Sequence, residues 1–452
     1  MTTREQVEQV ETKYDVQSIE VRCRKKTFQI YPWIKGRLFH KIITGEETMQ
    51  KQNLKLYFNQ FISVFYGLHN IFRKYDNWVF TSSMERRLIN GKYTDKLFDS
   101  ISNYQPKTLI IELRLFKFYP LRKIASKYVI SRSFFVLFEV IYSKLFLKKI
   151  KISNPQLLTE INQLVQGGVQ SDYIIRKYLA QYFVMKFWLK ILPNPKVVFV
   201  SVSYTHFGYI RALKEKDIKV IEFQHGVITG NHHAYNYFKS FDSIQFPDSL
   251  VTFGEKEKEA FSSNKFPIKE IVPIGNYLVN HFAISKYESR NPIKILFTLQ
   301  DGIMGEKLIR FILELKRKIP DSIRLIIQPR RTKPEVYCEK ISEAINLEFS
   351  KEDFYSMLSK CTIHSTIYST TAIESLSMGI PNILINFDNQ SKDQLSNLIS
   401  NPYTIFVENV SEFIHALGTL NKYDPQKIKE SNAVNIKPGY DTNLAEFLRK
   451  KA

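Results

Sequence analysis

The sequence predicts an α/β protein: two Rossmann-like domains facing a central cleft, with helical and aromatic-rich insertions in the N-terminal part. Three observations predict it. At 452 residues the chain exceeds what one ordinary core organises. From residue 196 onward, short Val- and Ile-rich runs alternate with helical patterns, as in a parallel, doubly wound sheet. The alternation runs twice, with a break near residue 285. The expected division is therefore an N-terminal domain over 1–285 and a C-terminal domain over 286–435, with a tail or returning helix over 436–452.

Residues 1–190 mix aromatic and basic side chains with helical patterns at 54–72 and 157–192. Strand-like pieces lie at 78–81 and 108–113. The first clean series then starts. VVFVSVS (197–203) reads as a buried strand, 206–216 as a helix, and IKVIEFQ (218–224) as a strand running straight into His225-Gly226. A strand at 249–254, a helix at 255–262 and a strand at 270–276 close this half. Residues 277–292 carry no strong pattern and read as the connection. The second series places strands at 293–299, 323–329, 361–366, 381–387 and 403–407. Helices fall at 307–318, 354–360, 371–378, 394–399 and 410–417.

A hydrophobic share of 44% and an aromatic share of 14% allow a large core and exclude global disorder. There are 65 Lys and Arg against 44 Asp and Glu, a formal charge of +21. Such a field attracts phosphates, nucleotide sugars, anionic lipid heads or nucleic acid. The stretch 111–151 carries ten Lys or Arg and two Glu, with Phe116, Phe118, Tyr119, Phe134, Phe135, Phe138 and Phe146 interleaved. Such a segment suits an anionic membrane surface, with aromatic side chains entering the headgroup boundary. It equally suits a core helix with a solvated basic face. The longest apolar run, 133–147, is shorter than the roughly 20 residues of a spanning helix, and Glu139 and Lys144 interrupt it. The polar opening MTTREQVEQVETKYDV has no apolar run of the signal-peptide kind. Cys23, Cys338 and Cys361 lack the spacing of a zinc site or a disulfide framework. The expected location is cytoplasmic, peripheral on the inner face of the cytoplasmic membrane. No cofactor and no metal is expected.

Four places carry chemistry. In Ser369-Thr370-Thr371-Ala372-Ile373-Glu374 a strand delivers hydroxyls to a helix start, where free N–H groups favour an anion. Glu374 sits where it can accept from ribose hydroxyls. The same Thr371 and Glu374 also have the spacing of a capping box, which needs no ligand. In Glu222-Phe223-Gln224-His225-Gly226 a strand end presents a histidine, and Gly226 permits a sharp turn. His225 suits a general base, with Glu222 or Asp301 as carboxylate alternatives. His206, Gln224 and Gly226 are candidates to line the same acceptor-side cleft. Gln328-Pro329-Arg330-Arg331 follows another strand and offers two guanidiniums to a phosphate. Residues 299–306 (LQDGIMGE) read as a glycine-bearing loop. No Gly-Lys-Ser/Thr phosphate loop and no Gly-x-Gly-x-x-Gly occurs, which removes the usual support for ATPases and dinucleotide oxidoreductases.

Together the Gln224-His225-Gly226 turn, the Gly254-Glu255 strand exit, the Ile274-Gly275-Asn276 closure and the run from Ser369 through Glu374 to Gly379-Ile380-Pro381 resemble GT-B glycosyltransferases. More narrowly, they resemble bacterial capsule and lipopolysaccharide transferases with a Gln-His-Gly turn. The resemblance covers roughly 195–420. It implies metal-independent transfer from a nucleotide sugar to a surface glycan or lipid-linked acceptor. Carried onto this sequence, the resemblance puts the nucleotide on Ser369, Thr370, Thr371 and Glu374 and His225 at the catalytic cleft; Gln328, Arg330 and Arg331 join the donor side from the strand-end reading above. CMP-sugar enzymes of this kind often carry His-Pro where this chain has Gln328-Pro329. A CMP-sugar is favoured and a UDP-sugar stays open. A nucleotide-sugar 2-epimerase or a CDP-polyol phosphotransferase would share the architecture. A basic nucleic-acid-binding protein is the non-enzyme alternative, but no nucleic-acid motif occurs and none is expected as a partner.

Overall fold

A computed structural model describes residues 3–39, 54–114, 119–147, 150–166, 169–262, 264–282, 292–330, 332–420 and 423–451. The chain divides into two compact units. The first comprises Met1–Thr252, Lys258–Val272 and Leu444–Ala452, and the second Phe253–Glu257 and Pro273–Asn443.

In the first unit, α1 (Thr3–Lys13), an antiparallel hairpin of β1 (Glu20–Cys23) and β2 (Lys26–Gln29), α2 (Tyr31–Leu38) and α3 (Leu54–Ser63) precede the main sheet. Next come β3 (Asn77–Ser82), a second hairpin of β4 (Arg86–Ile89) and β5 (Lys92–Asp95), α4 (Asp99–Tyr104), β6 (Thr108–Leu113) and β7 (Val129–Ser131). Three helices follow: α5 (Ser133–Phe146), α6 (Pro155–Leu164) and α7 (Ser171–Ile191). The unit continues with β8 (Val197–Ser201), α8 (Phe207–Lys214), β9 (Lys219–Phe223), β10 (Ser249–Thr252), α9 (Glu257–Ser262) and β11 (Glu270–Pro273).

The main sheet has the order β11-β10-β9-β8-β3-β6-β7, and the pairs from β10 through β7 are parallel. Counted from β3, this is the doubly wound order 3-2-1-4-5-6 with one added edge strand. Every residue of β8 is buried, which is why it reads as an unbroken apolar run rather than an alternation. Helices α7 and α8 approach so closely that a Cβ on Gly208 would lie 2.1 Å from the Tyr178 carbonyl oxygen. Trp188 of α7 packs against Phe134 and Phe138 of α5, at 4.8 and 5.1 Å between ring centroids.

Three expectations for this half change. The helix expected over 54–72 ends at Ser63. Gly67, at φ 68°, then turns the chain against β7, where a Cβ would clash with the Val129 carbonyl. The pattern over 157–192 is two helices, α6 and α7. The basic aromatic stretch 111–151 is no single helix. It holds the end of β6, a 3₁₀ turn at Leu121–Lys123, β7 and α5. Its residues 115–118, which include Phe116 and Phe118, and 148–149 lie outside the described residues.

The second unit begins with α10 (Tyr277–His281), inside the segment expected to be patternless. It continues through β12 (Lys294–Thr298), α11 (Gly302–Lys316), β13 (Arg324–Gln328), α12 (Pro334–Lys340), β14 (Glu348–Phe349), α13 (Phe354–Leu358) and β15 (Ile363–Thr366). Next are α14 (Thr371–Ser377), β16 (Asn382–Ile385), α15 (Gln390–Gln394), β17 (Thr404–Val407), α16 (Val410–Thr419) and α17 (Pro425–Asn432). The last helix, α18 (Tyr440–Lys451), ends in the first unit. The sheet order is β14-β13-β12-β15-β16-β17, and every pair is parallel. Counted from β12 this is again 3-2-1-4-5-6. Its topological switch point lies between β12 and β15, where ligands sit in open α/β sheets. The loop expected over 299–306 is a short turn, because α11 already starts at Gly302.

Candidate functional site

In the second unit, one residue ties together the loops at the switch point. The Gln300 side chain accepts from Arg330 Nη1 at 3.2 Å and donates to the Tyr368 carbonyl at 2.8 Å. Its own carbonyl accepts from the Tyr337 hydroxyl at 2.9 Å. Gln300 thus joins the turn after β12, the loop after β13 and the loop after β15. Gly305 is packed onto this arrangement: a Cβ there would lie 2.3 Å from the Gln300 carbonyl and 2.6 Å from the Tyr337 hydroxyl. Beneath the edge, buried His364 bonds Thr298 Oγ1 at 2.9 Å and Asn382 Oδ1 at 2.8 Å, stitching β12, β15 and β16 together. Burial holds its pKa down at about 4 against the bond to Asn382, so it serves as a neutral structural group.

Two buried polar atoms at this edge have no hydrogen-bond partner among the described residues: Gln328 Oε1 and Thr371 Oγ1. Buried polar atoms left unpaired are uncommon in native folds, and a water, an ion or a ligand is among the things that can satisfy them. Ser369 Oγ accepts from the Thr371 amide at 3.3 Å, and Thr370 occupies the N-cap position of α14 without a side-chain cap bond. The capping box expected of Thr371 and Glu374 does not form. Thr371 is already inside the helix, and Glu374 Oε1 accepts instead from Asn276 Nδ2 at 3.3 Å. Arg330 is exposed. Arg331 lies outside the described residues. Asp301 takes the N-cap position of α11, and its Oδ1 accepts from the Thr332 amide and hydroxyl at 3.2 and 3.1 Å. One oxygen of this candidate base is therefore committed to holding the loop after β13.

In the first unit, the switch point falls between β3 and β8. Val202, just past β8, has φ 56°, a left-handed conformation that costs a β-branched residue about 1–3 kcal/mol. Its carbonyl accepts from the Thr205 amide at 2.9 Å, and the Ser203 amide donates to Glu222 Oε1 at 2.8 Å. Glu222 also accepts from the Tyr235 hydroxyl at 2.6 Å and is fully buried. Burial pushes its carboxyl up, against those two bonds. Its Oε1 is thus committed to the turn after β8, whereas its Oε2 is buried with no hydrogen-bond partner among the described residues. His206 is also buried, bonded to Arg132 Nη1 at 3.0 Å, and held neutral by burial and by that guanidinium. It supports the fold rather than lining an open surface. Gln224 is buried and donates to the Gly226 carbonyl at 2.8 Å. Gly226 lies outside the left-handed region, so its turn needs no glycine backbone.

His225 differs from these. The residue as a whole is partly exposed, its buried Nδ1 has no hydrogen-bond partner among the described residues, and its ring lies 6.3 Å from that of Tyr204. Burial lowers its pKa to about 4, while Glu85 opposes and Lys96 reinforces the shift. Glu85 and Lys96 flank the β4–β5 hairpin and pair at 3.1 Å. That hairpin is anchored by a buried network in which Arg86 bonds Glu112 and, at 3.1 Å, Asp99. The sequence reading missed Gln300, Val202, Glu85 and Lys96. A Gln at a strand exit and a Val in a turn carry no local signal; only the strand order gives them meaning.

No protein-family model matches the sequence, and no curated protein is significantly similar to it. Solved structures are. CalG4, the calicheamicin glycosyltransferase, is 10% identical, with 84% of this chain and 98% of that one covered, at a TM-score of 0.50. The glycotransferase of kitacinnamycin gives 10% identity, coverage of 84% and 100%, and a TM-score of 0.50. The UDP-GlcNAc 2-epimerase from Neisseria meningitidis, bound to UDP-GlcNAc, is 14% identical over 83% and 98%, at 0.47, too remote to bear on the reaction. With two parallel sheets in Rossmann order, the chain has the GT-B fold.

Proposed function

We propose that the protein is a glycosyltransferase that moves a sugar from a nucleotide-activated donor, with a CMP-sugar favoured, to a surface glycan or lipid-linked acceptor. The observation that carries this reading is the switch point of the six-stranded sheet. There Gln300 gathers Arg330 and the 368–371 loop around the orphaned Gln328 Oε1 and Thr371 Oγ1. A nucleotide supplies what these groups lack, namely base or ribose hydrogen-bond partners and a phosphate. Arg330 and the 369–371 backbone would meet the charge that develops on the leaving phosphate. Arg331 belongs to this proposal from the sequence alone. Glu374, a donor-binding candidate from the sequence, would be held in place by Asn276.

His225 would take the acceptor hydroxyl's proton. It is neutral at pH 7, partly exposed, and has a ring nitrogen unpaired. Asp301 would position the loop after β13, and Glu222 the turn after β8. The enzyme would work at the inner face of the cytoplasmic membrane. Incubation with CMP- and UDP-sugars, and separately with a CDP-polyol, each with and without a glycan acceptor, tests the reading. Nucleotide release that requires acceptor supports it. Release without acceptor, or an epimerised donor, supports a 2-epimerase instead, and a polyol phosphate product supports a CDP-polyol phosphotransferase.

A further inference from the structure

In the first unit, two neighbouring helices turn apolar faces outward. On α3 and its continuation, Phe58, Phe61, Ile62 and Phe65 stand at the i, i+3, i+4, i+7 spacing of one helical face. On α5, Ile141 and Leu145 lie one turn apart, at i and i+4, with Val140 and Phe146 beside them and the exposed Lys144 next to Leu145. All eight apolar chains are between 44% and 67% exposed. The inward contact between the helices is the polar one: Ser63 of α3 donates to Ser133 of α5 at 2.7 Å, and Ser131 donates to Ser63 at 3.1 Å. Phe187 and Ile191 of α7, which packs on α5 through Trp188, are exposed as well. Ten large side chains about half exposed amount to on the order of 1,000 Å² of apolar surface. That exceeds the roughly 300–600 Å² of the largest patch on an ordinary monomer.

The charge around this face selects its occupant. The segments 54–74, 119–147 and 183–191 carry ten Lys or Arg and one acid, Glu139. Glu139 is buried and accepts from the Tyr209 hydroxyl, so it neutralises nothing at the surface. Arg73, Lys74, Lys127, Lys144 and Lys190 are exposed. A second copy docking on this face would bring the same positive charge against it, whereas anionic lipid brings the opposite charge. Among the described residues, no helix is long and apolar enough to cross a membrane.

We infer that α3, α5 and α7 form a docking face for an anionic bilayer, inserting their aromatic and aliphatic chains at headgroup depth while the cations meet lipid phosphates. This extends the proposed function by placing a lipid-borne acceptor beside the first unit. The inference does not depend on the chemistry. The full chain is sedimented with vesicles of phosphatidylcholine alone or mixed with phosphatidylglycerol, with neither donor nor acceptor present. Binding is expected only with phosphatidylglycerol and should weaken as salt rises. The pair Phe61→Glu and Phe65→Glu should lower the bound fraction by about tenfold, with thermal unfolding unchanged because both positions are exposed. Lys144→Glu with Lys190→Glu should do so by a smaller factor. Failure to bind anionic vesicles at low salt overturns the inference, as does equal binding by the Phe pair. So does a dimer in sedimentation velocity that the Phe pair dissolves, because it would make a second copy the occupant.

Discussion

His225 differs from the buried histidines His206 and His364. His206 and His364 are bonded on both ring nitrogens, whereas His225 keeps Nδ1 unpaired at the end of β9. His225→Ala should lower transfer by about 10²–10⁴-fold, with nucleotide affinity unchanged. Steady-state rates and a binding titration on the same variant check this, and full activity in the variant would remove the assignment. A second consequence concerns pH. Burial holds His225 and His364 at about 4 and His232 at about 3. In the unfolded chain a histidine titrates near 6.5. The unfolded state therefore binds more protons below that value. The stability these neutral rings contribute is complete above about pH 6.5 and is lost as pH falls toward 4. Thermal unfolding should show a lower midpoint at pH 5 than at pH 7. The acid limb of catalysis should appear near pH 4 rather than 6.5.

At the scale of elements, the inner strands of both main sheets were legible because they are buried on both faces and so read as apolar runs, whereas the short strands β7 and β14 were not read. IKILFTL became β12 and PNILINF became β16 with little change in their limits. The first 190 residues were less legible. Their helices turn apolar chains outward, as α3 does, or end on tertiary contacts such as Gly67 against Val129, and neither leaves a periodic trace. The candidate site was legible where a residue type announces chemistry, as with His225, Arg330 and the hydroxyl run at 369–371. It was not legible where a residue acts by position, as Gln300 does across the switch point and Val202 does in its strained turn. One packing prediction belongs at this scale. Gly208→Ala puts a methyl against the Tyr178 carbonyl and Gln181 Cβ and forces α7 and α8 apart. The expected cost is about 1–3 kcal/mol in chemical denaturation. An unchanged denaturation midpoint would mean that the two helices are not packed this closely.

For the whole molecule, the GT-B fold and the surplus of positive charge point the same way without being the same evidence. The fold rests on two parallel sheets in Rossmann order and on the likeness to CalG4 and the kitacinnamycin glycotransferase. The charge of +21 bears on encounter, because such a field attracts anions. What decides between a nucleotide-sugar enzyme and another use of this fold is whether the six-stranded sheet binds a nucleotide at its switch point. Calorimetric titration of CMP and UDP into the full chain, and into Arg330→Ala and Gln300→Ala, answers this most directly. The account predicts saturable binding of one nucleotide. It also predicts a loss of about 1.5–3 kcal/mol with Arg330→Ala, the value of a charge-assisted hydrogen bond to phosphate. Gln300→Ala should weaken binding as well, because it releases the loops that carry Arg330 and Ser369. Absence of binding by either nucleotide, or binding that neither substitution changes, would contradict it.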